Sequence, residues 1–152
     1  MMKKLIVFLT FLVLLVGCGK KQEEVTSSAN LEHVIKAIQE QQELNLKETI
    51  VLNKDQVVQV FGLSADSIED ASGLQASITS SLSDVLIIRT KDASKNKEVK
   101  QQLDVYYQQL FLYPSQTVFL ENKIVEEKNN LIYVIVAENA STIKEYVEKG
   151  LK

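Results

Sequence analysis

Cysteine, histidine and proline each occur once in these 152 residues, and tryptophan does not occur at all. Each scarcity closes off a class of protein. With Cys18 as the sole thiol there is no internal disulfide. A zinc site takes three or four Cys, His or carboxylate ligands at workable spacing, and His33 with Cys18 does not make such a set. His33 falls on the polar side of a helical stripe, where a solvated side chain is expected. The chain has no Asp-x-Asp-x-Asp-Gly loop for calcium and no Gly-rich phosphate loop. It lacks a Gly-x-Ser-x-Gly elbow, and a serine with only His33 for company is not a triad. The sequence therefore predicts no metal, no cofactor and no catalytic residue. Basic charge is also short, at 17 Lys and Arg against 20 Asp and Glu, a net charge of −3. Removing residues 1–17 takes away Lys3 and Lys4 and no acid, which leaves 15 basic against 20 acidic residues and a net charge of −5. Nucleic acid wants a basic patch, and so does electrostatic adhesion to anionic lipid. Neither partner is expected. With only 5 Gly and 1 Pro, a collagen-like or long disordered segment is excluded.

What is present begins with Met1-Met2-Lys3-Lys4, a short basic head, followed by twelve residues from Leu5 to Val16 that are apolar except for Thr10. A basic head before a short apolar run is the pattern of a secretory signal peptide. The alternative is a helix retained in a membrane. Twelve residues make about 18 Å of helix, whereas a hydrocarbon core is about 30 Å thick. The run is too short to span. It ends in Leu15-Val16-Gly17-Cys18, which resembles the lipobox of bacterial lipoproteins. That resemblance implies lipid on the Cys18 sulfur and cleavage between Gly17 and Cys18, giving a palmitate-type anchor at the extracytoplasmic face of the cell membrane. In a host with two membranes, Gly19 in place of aspartate resembles the lipoprotein sorting pattern for the outer one, and the resemblance implies that location. A single acyl chain binds marginally, and two or three hold stably.

Residues 18–29 form a small, polar, lipid-anchored linker, averaging roughly 18 Å end to end as flexible coil, and residues 30–152 a single domain. Asn30 caps a first helix with Leu31, Val34, Ile35 and Ile38 as its apolar stripe. A second runs from Asn53 through Val57, Val58 and Phe61 to Gly62. Ile68 to Ser80 alternates weakly as a strand, and Val85-Leu86-Ile87-Ile88 suits a central strand covered on both faces. The longest helix is expected over 93–112, with Val99, Leu103, Tyr106, Tyr107 and Leu110 inward and Pro114 marking its end. Residues 123–128 and 131–138 make a hairpin at Asn129-Asn130, and a last helix runs from Asn139 or Ser141 to Gly150. The expected fold is a two-layer α+β domain. Its four-stranded, mainly antiparallel sheet (a ββαββα core) carries helices on one face, preceded by one or two N-terminal helices.

The run Val57 to Leu63, the strand Asp84 to Ile88, the helix ending in Tyr113-Pro114 and the strand Leu131 to Val136 together resemble a bacterial lipoprotein family. It is the domain of unknown function numbered 4358. The resemblance implies this fold and a surface location, and it implies no catalytic residues. Among polar groups, the pairs Glu69-Asp70 and Glu126-Glu127 lie on strands, so each pair should point to opposite faces. Ser77, Ser80, Ser81 and Ser83 mark a turn. Asn139-Ala140-Ser141 matches a glycosylation sequon but serves better as a helix cap. Leu110 to Pro114 is too bulky a run for one helix face. Either the following chain folds back over Phe111, Leu112 and Tyr113, or they stand out as an anchor for an envelope partner. The expected function is a non-enzymatic binding or accessory module tethered at the cell envelope. The alternatives are an envelope hydrolase using carboxylates such as Glu126 or Glu138, and a small solute-binding lipoprotein.

Overall fold

Asparagine starts the first two helices, and for the same reason: its side chain satisfies an amide that the first turn leaves unpaired. In the computed structural model, which describes residues 28–46, 48–77 and 82–152, Asn30 Oδ1 accepts from the His33 backbone N–H at 2.9 Å to begin α1 (Leu31–Gln39). Asn53 does the same for Gln56 in α2 (Lys54–Phe61), and Gln56 Oε1 accepts in return from the Asn53 N–H, a closed capping box. Gly62 ends α2 at φ 64, a conformation that costs glycine least. The segment 1–17, Cys18, the linker through residue 27, and Ser80 and Ser81 lie outside the described residues.

Four strands are expected, and five are found among the described residues. The additional one is β1 (Thr49–Leu52), which pairs antiparallel with β2 (Ile68–Ala76). β2 pairs with β3 (Asp84–Thr90), β3 with β5 (Leu131–Val136), and β5 with β4 (Ile124–Lys128), all antiparallel, in the order β1-β2-β3-β5-β4. The β4–β5 hairpin turns as expected at Asn129-Asn130, with Asn129 at φ 53.

Helices on one face are also expected, and this too is corrected. α1 and α5 (Ala140–Gly150) cover Leu74, Val85, Ile87, Tyr133 and Ile135. α2 and α3 (Asn96–Gln109) cover the alternate residues Ala71, Leu86, Ile88, Ile132 and Val134 on the opposite face. The α+β domain has three layers, because β3 and β5 are buried along their whole lengths and an apolar run without alternation needs cover on both sides. Pro114 is a start as well as a stop. It occupies the first turn of α4 (Pro114–Glu121), a helix absent from the sequence expectation.

The two ends of the sheet differ. At the end where β3 finishes, Thr90 Oγ1 donates to Asn96 Oδ1 (2.6 Å), while Asn96 Nδ2 donates to Asn129 O (2.6 Å) and Glu127 Oε1 (3.0 Å). This buried network ties the β4–β5 turn to β3 and to the first turn of α3. Beside it Arg89, 7% exposed, meets Asp70 at 3.4 Å and donates to Ala29 O at 2.7 Å. The chain therefore enters the domain at this end. The opposite end, where β3 begins, carries the cavity described next.

Candidate functional site

Asp84 opens β3 on the face that α3 covers, and its side chain is 1% exposed. A carboxylate taken out of water must find donors. Tyr107, brought inward by the helical period of α3, donates from Oη to Asp84 Oδ2 at 3.1 Å. Burial nevertheless dominates and pushes the Asp84 pKa from 3.8 to about 7, against the lowering effect of its bonds with Tyr107 and Gln75. Burial, then the neighbouring Asp84 charge, holds both Tyr106 and Tyr107 above the usual phenol range. Gln75 of β2 donates from Nε2 to Tyr106 Oη at 3.3 Å. Phe61 packs on Tyr106 with ring centroids 4.5 Å apart, which fixes the Tyr106 ring from behind.

Above this cluster lies a cavity of about 340 Å³ whose lining includes Gln75, Leu82, Asp84, Tyr106, Phe111 and Gln116. Asp84 is the one charged residue lining it among the described residues. Its mouth is shaped by the short link from α3 to α4. Leu110 leaves α3 in an extended conformation, and Pro114 starts α4. Buried Gln116 reaches back to accept from the Tyr113 N–H at 3.0 Å. Gln116 thus fastens the link at its α4 end. Phe111 is 92% exposed and Tyr113 55%, their rings edge to face at 6.4 Å, while Leu112 is half-buried.

The other residues singled out from sequence are dispersed. His33 is exposed on α1. Glu126 and Glu127 do point to opposite faces of β4: Glu126 pairs with Lys144 of α5 at 2.6 Å, and Glu127 with Lys100 of α3. Glu127 is held below the usual carboxylate range, by its Asn96 bond first and Lys100 second. Glu138 lines a different cavity from Glu126, so the two acids named for a hydrolase do not converge. Of the pair Glu69-Asp70, Asp70 reaches Arg89 and Glu69 is exposed. Ser77 donates to Glu48 O at 2.7 Å. Asn139 stands at the cap position of α5 without a side-chain capping bond. Among the described residues, no group of three or more His, Cys, Asp or Glu is positioned to hold a metal ion. The Asp84 cluster itself escapes sequence reasoning. Tyr106 and Tyr107 are expected inward, but nothing local to Ser83-Asp84 announces that a helix residue 23 positions on will meet the carboxylate.

The fold and cavity define a three-layer α+β domain with an antiparallel sheet and a carboxylate-floored pocket at one sheet end. The chain belongs to the family described as a domain of unknown function (DUF4358), which matches residues 43–137, more than half of the sequence. The matched segment holds all five strands with α2, α3 and α4, and leaves α1 and α5 outside it. No curated protein and no solved structure matches this chain.

Proposed function

We propose that this protein is a lipid-anchored, extracytoplasmic binding module without enzymatic activity, held to the cell membrane through Cys18, with the Asp84 cavity and its Phe111 rim as the working surface. The anchor rests on the basic head, the short apolar run and the single cysteine placed at its end. The binding role is carried by one observation: Phe111, a large aromatic, stands 92% exposed at the mouth of a cavity. An aromatic left in water beside a concave site is the composition of a contact anchor.

The path of the chain supports this arrangement. The tether joins the domain at Ala29, fastened to Arg89 at one end of β3, and Asp84 lies at the other end. Five residue steps of strand separate the two by about 17 Å. A domain leashed at Ala29 carries the cavity mouth at the end of β3 remote from the leash, open to partners in the surrounding envelope.

A photoreactive aromatic amino acid substituted at Phe111 in living cells tests the reading. The expected result is a specific crosslinked envelope component, lost when a Cys18→Ala form is released from membranes. Crosslinking no different from that of the same probe placed at exposed Val105 on α3 would contradict it.

A further inference from the structure

The cavity over Asp84 has a chemistry more selective than its exposed rim. Its lining combines one negative charge at the floor with amides from Gln75 and Gln116, a phenol from Tyr106, and apolar walls from Leu82 and Leu110. No lysine, arginine or histidine lines it among the described residues, so the charge is met there by hydrogen bonds alone. At about 340 Å³ the space lies at the small end of ligand pockets. An anion would enter against the Asp84 charge and find no cation to receive it. A neutral apolar molecule would leave the carboxylate desolvated and without a counter-charge.

We infer that this cavity binds a primary ammonium group carried on an apolar body, either a free organic amine or the lysine side chain of a partner. The inference rests on the reading of the cavity as the protein's binding site, and adds the class of ligand. The ammonium seats over the Asp84 floor, where a charge buried under apolar walls is poorly screened and acts without full contact. Tyr106 lines the cavity with an aromatic ring, a group suited to a cation, and Leu82, Leu110 and Phe111 take the apolar body. The raised pKa of Asp84 has the matching physical sense: the site lacks a positive neighbour, and an ammonium supplies one.

The test uses the full chain in mild detergent at about pH 8, above the Asp84 pKa, and four probes followed by saturation-transfer NMR and calorimetry. They are phenethylammonium, phenethyl alcohol, hydrocinnamate, and Nα-acetyl-lysine amide. The expected result is that phenethylammonium binds about tenfold or more tighter than the alcohol, as for a desolvated charged contact, with hydrocinnamate not binding. Asp84→Asn, which keeps an acceptor for Tyr107, should erase the preference, and Phe111→Ser should weaken amine and alcohol alike. Comparable affinity for lysine amide assigns the source to a partner's side chain, and its failure beside a binding phenethylammonium assigns it to free amines. Equal binding of amine and alcohol, tighter hydrocinnamate, or no saturable binding by any probe overturns the inference. The Phe111 crosslink is scored separately: a recovered partner with no amine preference sinks the ligand class and leaves the binding module standing.

Discussion

Asp84 is a residue whose environment works against its charge, and stability should record that. Its folded pKa, about 7, lies above the 3.8 of an aspartate in solution. Between these values the folded state keeps a proton that the unfolded state gives up, so the stability this group contributes is fully present below the lower value. It is lost as pH rises through the higher one. At about 1.4 kcal/mol per unit, the loss is on the order of a few kcal/mol. Urea unfolding of the wild type at about pH 5 and pH 8 should show the fall, and Asp84→Asn should flatten it. Glu43, lowered chiefly by its bond from Tyr146, and Glu127 have the opposite sign and are common to both proteins. Asn96 is the counterpart at the other end of β3. It is 1% exposed and serves Thr90, Glu127 and the Asn129 carbonyl at once. Truncation strands those groups without partners, so Asn96→Ala should lower the unfolding free energy by about 1–3 kcal/mol. An unchanged urea midpoint would mean that the network ties nothing.

Elements whose signals lie within a few residues of themselves were legible in the sequence. Asn30, Asn53 and Gly62 bound α1 and α2 as their cap chemistry predicts, and Asn129-Asn130 turns the hairpin. β1 was not legible, because four residues are too few to show a period and become a strand only by pairing with Gly73 to Ala76, more than twenty positions later. α4 was missed because Val118, Phe119 and Leu120 are consecutive and make no stripe. The second helical layer was implied by the apolar runs of β3 and β5, yet which helix covers which face depends on contacts between distant segments. The layers make a prediction of their own. A chain trimmed to the matched residues 43–137 loses α1 and α5 and uncovers Leu74, Val85, Ile87, Tyr133 and Ile135. It should aggregate or bind a hydrophobic dye, whereas 28–152 should show a single cooperative unfolding transition.

For the whole molecule, the proposal of a domain hung from a membrane and facing outward rests on the short apolar run, the single thiol, the entry point at Arg89 and the cavity at the far end of the sheet. The pattern behind the proposed address was legible because it is linear: charge, apolar run and cysteine follow one another along the chain. The pocket was not, since Gln75, Asp84, Tyr106 and Gln116 come from four separate elements or their flanks. Everything about how the domain is presented depends on that address. The most direct measurement is mass spectrometry of the N-terminal peptide of the protein purified from membranes of its own host. The account predicts a peptide that begins at Cys18 and carries the mass of a diacylglyceryl group on its sulfur. A peptide beginning at Met1, or a Cys18 with a bare thiol, would contradict it.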